Sequence, residues 1–161
     1  MATYTRFIAL GDSFTEGMQD EKINDQYRGW ADRVAEALAT QVPGFTYLNL
    51  AVRGKLVGQV INDQIPVALK WIEGPQTLVS FHAGANDLLR PSYDPKNVLP
   101  RYAEAIKILA GTGCQLMVFT AVERVAESGK MQEIWEERFS TFNKQVRELA
   151  AKYNGIVLEA T

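Results

Sequence analysis

Arg6-Phe7-Ile8-Ala9-Leu10-Gly11-Asp12-Ser13-Phe14-Thr15-Glu16-Gly17 opens as a short apolar run and breaks at once into a glycine-led polar turn. A run of that length, bounded by turn residues, reads as a strand buried on both faces, as strands of parallel sheets are. Four later runs share the character, at residues 45–51, 77–82, 115–122 and 155–159, with Leu116-Met117-Val118-Phe119 the plainest. Between them, apolar residues recur at helical spacing. Trp30, Val34 and Leu38 mark a first helix that ends at Pro43-Gly44, and Val57, Val60, Ile61 and Ile65 mark a second that Pro66 interrupts. Leu99, Tyr102, Ile106 and Leu109 mark a third, stopping at Gly111. In the fourth, Trp135, Phe139, Phe142, Val146, Leu149 and Tyr153 step by four and three before Asn154-Gly155 closes it. Strands alternating with helices predict an α/β layer fold with a mainly parallel sheet, because right-handed crossovers carry the helices over the sheet faces.

The count leaves one position empty. Each of the first four strands is followed by a helical segment, and none follows the fifth in the sequence. A parallel sheet exposes apolar surface unless both faces are covered. The expectation is a single domain over residues 1–161 that lacks its last helix, or whose exposed sheet face a second chain covers; the oligomeric state is otherwise open.

Composition narrows the chemistry. The 161 residues are 47% hydrophobic and 22% charged, enough for one sizeable core. Seventeen Lys and Arg against nineteen Asp and Glu give a net charge of −2, with no basic block to follow a phosphate backbone, so nucleic acid is not the expected partner. The single cysteine, Cys114, excludes an internal disulfide, and with the single histidine, His82, it leaves too few soft ligands for a zinc or iron site. No apolar run is long enough to span a bilayer and the N-terminus has no signal-peptide core, so a soluble, cytoplasmic chain is expected.

Ligands of open α/β sheets bind at the carboxyl ends of the strands. After the first strand stands Ser13, at a turn where the free N–H groups of a following helix would favour an attacking oxygen; the plainer role for Ser13 or Thr15 is a helix cap. After the second comes Gly54, able to bring its N–H close to a ligand or simply to turn the chain. After the third comes His82-Ala83-Gly84-Ala85-Asn86-Asp87, in which the Asn86 amide is suited to a developing oxyanion, and Asn86-Asp87 equally to a cap.

Taken together, these residues resemble the SGNH hydrolases, also called the GDSL lipase and esterase family. The likeness rests on residues 9–17 for the serine block, Gly54 for the glycine block and Gly84-Ala85-Asn86-Asp87 for Gly-x-Asn-Asp, in order along nearly the whole chain. It implies a three-layer, flavodoxin-like sandwich with five parallel strands in the order 2-1-3-4-5, and hydrolysis of small-molecule acyl esters without a cofactor. It also implies Ser13 as nucleophile, with Ser13, Gly54 and Asn86 as the oxyanion hole. The α/β-hydrolase elbow Gly-x-Ser-x-Gly is absent, which separates the chain from that other esterase group.

One block of the family pattern is missing. The C-terminal Asp-x-x-His occurs nowhere in the 161 residues, and its loss coincides with the missing helix, so the expectation is an incomplete chain whose catalytic histidine lies outside it. His82 and Cys114 read as core residues, and Glu133, Glu136 and Glu137 as a solvated helix face. Trp71, Tyr93 and Trp135 are candidates for a pocket wall, and residues 90–93 and 124–130 for specificity loops. Two rival readings remain: a non-catalytic binding module that keeps the oxyanion pocket, and a nucleotide or flavin domain. The latter is disfavoured because neither Gly-x-x-x-x-Gly-Lys nor Gly-x-Gly-x-x-Gly occurs.

Overall fold

The structure, a computed structural model, describes residues 3–12, 22–23, 26–27, 29–122 and 129–159. The chain runs through β1 (Arg6–Gly11), the two-residue strands β2 (Lys22–Ile23) and β3 (Gln26–Tyr27), and α1 (Trp30–Ala39). It continues through β4 (Thr46–Asn49), α2 (Val57–Asp63), α3 (Ile65–Leu69), a 3-10 turn and β5 (Thr77–His82). Then follow α4 (Ala85–Leu88), α5 (Pro95–Ala110), β6 (Gln115–Phe119), α6 (Gly129–Tyr153) and β7 (Ile156–Leu158). Five strands form one parallel sheet in the order β4-β1-β5-β6-β7, which is 2-1-3-4-5 counting the strands of this sheet alone. The two short strands pair antiparallel with each other, outside the sheet.

Strand β1 is central and buried on both faces, as its unbroken apolar run requires. Ile8 and Leu10 point into a large core made with α2, α3, α5 and α6. Phe7 and Ala9 point the other way, onto Ala31 and Ala35 of α1. Helix α1 is tied to its strand by polar contacts as well: the Asp32 carboxylate accepts from Gly29 N–H at 3.1 Å and from the Tyr47 hydroxyl at 2.6 Å. At the far edge of the sheet, Ile156 and Leu158 of β7 are each 41% exposed.

The helix boundaries follow local chemistry. Pro66 sits in the first turn of α3, where its missing N–H costs nothing, so the second apolar stripe divides into two short helices. Asp94 caps α5 by accepting from Lys96 N–H at 3.0 Å. Asn154 takes a left-handed conformation (φ 55°) after α6 and turns the chain into β7.

Two strands end earlier than their apolar runs suggest. Strand β6 stops at Phe119 because the backbone of Ala121 pairs with a side chain: its N–H donates to Asn143 Oδ1 at 2.7 Å, and its carbonyl accepts from Asn143 Nδ2 at 3.1 Å. Strand β4 stops at Asn49, whose Oδ1 accepts from Ala51 N–H at 3.0 Å and starts a turn.

In the larger core Tyr102 lies between Phe81 and Phe142, edge-on to both at 5.4 and 5.2 Å. Its side chain is fully buried and its hydroxyl has no hydrogen-bond partner among the described residues. A buried orphan hydroxyl costs about 1–3 kcal/mol, so Tyr102→Phe is expected to stabilise the fold by about 1 kcal/mol, read as a higher urea midpoint. A lower midpoint would mean that the hydroxyl is bonded after all.

Candidate active site

The described part of the site is built at the carboxyl edge of the sheet, where β1 is flanked by β4 and β5. Strand β1 delivers Gly11 and the buried Asp12 there, immediately before Ser13. Ser13 itself, with Phe14, Thr15, Glu16 and Gly17, lies outside the described residues, as do residues 124–128 of the second expected specificity loop.

Gly54, after β4, adopts φ +73°, a backbone conformation that side chains rarely take. A Cβ there would touch nothing within 4 Å, so the torsion and not crowding calls for glycine. Among the described residues, its N–H makes no hydrogen bond. Asn86 belongs to α4, the single turn after β5, and its Nδ2 donates to the Lys55 carbonyl at 3.1 Å. That bond uses one amide hydrogen and leaves the second. Its neighbour Asp87 is buried, and Oδ2 accepts from Val57 N–H at 3.0 Å. Two adjacent residues after β5 thus grip the segment that follows Gly54. Burial raises the Asp87 carboxyl above the usual range, while the Val57 N–H and the charges of Arg90 and Arg101 pull it back down.

The glycine of the Gly-x-Asn-Asp block has its own reason. Gly84 has φ +119°, and a Cβ on it would sit 2.5 Å from Phe142 Cζ, so α6 packs directly on this turn. Arg138 of α6 also secures the chain beyond α4, donating from Nη1 to the carbonyls of Leu88 and Arg90 at 2.9 and 3.0 Å and lying 4.9 Å over the Tyr93 ring.

Sequence reading missed Gln64. It is 3% exposed, at the break between α2 and α3. Its Oε1 accepts from Gly11 N–H and its Nε2 donates to the Gly11 carbonyl, both at 2.9 Å. The side chain therefore pairs with the last residue of β1 as a neighbouring strand would, two residues before Ser13. A signal was present: Gln64 continues the spacing of Val57, Val60 and Ile61, and a polar residue on a buried stripe must have a partner.

His82 closes β5 with its ring stacked on Phe119, centroids 4.5 Å apart. Burial lowers its pKa from 6.5 to about 4. Cys114 is half-buried, with burial pushing its thiol upward. Glu133, Glu136 and Glu137 are exposed. A cavity of about 270 Å³ opens beside the Asn86 turn, lined by Leu56, Val57 and Asp87 and by Ser92 among others. Trp71, Tyr93 and Trp135 do not line it; Trp71 is half exposed beneath Arg6, while Tyr93 and Trp135 pack on the larger core. Among the described residues no helix is long and apolar enough to cross a membrane.

A parallel sheet in the order 2-1-3-4-5 with helices on both faces defines a doubly wound α/β layer fold. Residues 9–160 match the GDSL-like lipase/acylhydrolase family, and the chain belongs to that family of ester-hydrolysing enzymes. Solved structures share the fold at low identity. The acetylxylan esterase Axe2 from Geobacillus stearothermophilus is 13% identical, covering 98% of this chain and 78% of its own, with a TM-score of 0.72. An extracellular lipase from Streptomyces rimosus is 16% identical, covering 96% and 80%, at 0.70. A member of the lipolytic G-D-S-L family from Veillonella parvula is 20% identical, covering 96% and 76%, at 0.70. No curated protein matches.

Gln64→Leu leaves the Gly11 N–H buried and unpaired and its carbonyl with the Val52 N–H alone, at 3.2 Å, which is expected to cost about 1–3 kcal/mol in urea unfolding; a variant as stable as the parent would show that the clamp contributes nothing. For His82, the unfolded chain takes up a proton near pH 6.5 that the folded chain refuses until about pH 4. Stability is therefore lost as pH falls through that window, by up to about 3 kcal/mol, and His82→Gln should remove this share of the slope. An imidazole that titrates near its ordinary value by NMR would contradict the burial argument.

Proposed function

We propose that the protein hydrolyses carboxylic esters of small molecules by two-step acyl transfer at Ser13. The observation that carries this reading is donor capacity in the right place. The Gly54 N–H and the second Asn86 amide hydrogen stand at the ends of the two strands that flank β1, the strand that runs into Ser13. In the reaction, a base takes the Ser13 hydroxyl proton as the oxygen bonds to the ester carbonyl carbon, and the carbonyl electron pair moves onto oxygen. The N–H groups of Ser13 and Gly54 and the Asn86 amide hold that oxyanion. Its collapse expels the alcohol, which receives the proton; water then repeats the sequence and releases the acid.

The base is assigned to a histidine outside residues 1–161. His82 is the only histidine within them, and with its pKa lowered to about 4 it is a weak proton acceptor at neutral pH. The absence of Asp-x-x-His from the sequence supports the same assignment. Without its histidine a serine hydrolase of known mechanism loses on the order of 10⁶ in kcat, so residues 1–161 alone are expected to be nearly inactive.

The test is hydrolysis of p-nitrophenyl acetate by the natural protein. Ser13→Ala is expected to abolish it, and Asn86→Ala to lower kcat by about 10²–10³. Equal rates for Ser13→Ala and the parent would reject Ser13 and favour a binding module that only retains the pocket. Fast hydrolysis by residues 1–161 alone, lost in Ser13→Ala, would keep the nucleophile and reject the external base.

A further inference from the structure

The cavity beside the oxyanion donors has a chemistry that ester hydrolysis as such does not explain. It begins where the donors end: Asn86 holds the carbonyl of Lys55, and the next two residues, Leu56 and Val57, form a wall of the cavity together with Asp87. At about 270 Å³ it has room for one ring-sized group. Polar side chains supply most of its eleven lining residues, with Leu56, Val57 and Val98 the apolar ones, and apolar atoms still form the larger part of its surface, so an occupant has to offer both polar groups and an apolar face.

The charged groups are arranged in opposition. Arg101, from α5, makes no hydrogen bond or ion pair among the described residues, although it lies in the wall of a cavity that also contains Asp87 and Asp94. Its guanidinium rests against α2 at Gly58, where a Cβ would stand 2.5 Å from Nη1. The missing side chain of Gly58 is thus what seats the guanidinium in the wall. An anion entering the cavity would gain Arg101 but meet two carboxyl groups, and a cation would meet the reverse. An uncharged group rich in hydroxyls can use all of them, because each hydroxyl both donates and accepts. Arg101 and the Asn62 amide donate to its oxygens, and Asp94, with one oxygen occupied by Lys96 N–H, has the other left to accept from its hydroxyls.

We propose that this cavity is a subsite for a single sugar ring, the alcohol part of the ester that the enzyme cleaves. The word ester rests on the function proposed above; the binding of the sugar does not, and it can be measured without hydrolysis.

The test is an NMR titration of the ¹⁵N-labelled protein with methyl β-D-xylopyranoside, and separately with butyrate and succinate. Saturable shifts are expected at amides of residues 56–62 and 92–101, with a Kd on the order of 1–10 mM. Arg101→Ala and Asn62→Ala alter exposed side chains, the spectrum itself reports whether they fold, and each should raise Kd several-fold to about tenfold. The proposal is overturned if the glycoside gives no saturable shift at these amides, or if both variants bind it as tightly as the parent. It is equally overturned if butyrate or succinate occupies the same amides more tightly, which would make the cavity an acyl or anion subsite. Because the readout is binding, each answer holds whether or not Ser13 is the nucleophile.

Discussion

Where a parallel sheet ends, its strands diverge and their last N–H and carbonyl groups lose the partners that pairing supplied. Each such group left buried and unpaired costs about 1–3 kcal/mol, against a net stability of only about 5–15 kcal/mol for a whole domain. This protein meets the constraint with side-chain amides and carboxylates placed on the covering helices and turns. Gln64 completes the pairing of Gly11 at the end of β1, and Asn143 does the same for Ala121 beyond β6. Asn49 takes up Ala51 N–H after β4, and Asp87 takes up Val57 N–H across the gap between β5 and α2. The edge where ligands bind in this fold is therefore held by groups that use up the backbone's capacity almost everywhere.

Two donors on this edge stay unused among the described residues. Gly54, in a left-handed turn, makes no hydrogen bond through its N–H, and Asn86 keeps one amide hydrogen because a single carbonyl takes the other. Donors fixed in this way need no reorganisation when negative charge develops beside them, which is the condition for oxyanion stabilisation. The residues that fix them are not themselves the donors. Asp87 holds the start of α2, Gln64 holds the end of β1, and the bare Gly84 lets Phe142 of α6 press directly on the Asn86 turn.

This division explains which parts were legible in the sequence. Buried strands and amphipathic helices announce themselves through apolar spacing, so β5 over Thr77–His82 and the stop of α5 before Gly111 agree with the reading to the residue. The strand order came from the family resemblance, since periodicity carries no information about neighbours. Strand ends were overextended at β4 and β6, because Asn49 and Asn143 divert backbone whose own residues remain apolar. The one-turn α4 and the pair β2–β3 are too short to show a period. Of the three residues that the resemblance assigns to an oxyanion hole, Gly54 and Asn86 follow β4 and β5, the strands adjoining β1, while Ser13 lies outside the described residues. Gln64 is not among the apolar residues that mark the second helix, so apolar spacing alone passes over it, although it continues that spacing and its burial requires a polar partner.

The same segment also joins the proposed sugar subsite to the proposed oxyanion donors. Lys55, Leu56 and Val57 run without a break from the turn that carries Gly54 to the first turn of α2, and the grip of Asn86 and Asp87 falls on Lys55 and Val57. Leu56 and Val57 face the cavity that Arg101 enters over Gly58. A change of backbone at Leu56 would therefore bear on a cavity wall and on the segment that Asn86 and Asp87 hold. Substitutions on the opposite wall, at Ser92 or Asn97, touch neither clamp. If the cavity takes the alcohol as proposed, the wall carried by α5 and the turn before it is where that preference can change without touching the two clamps.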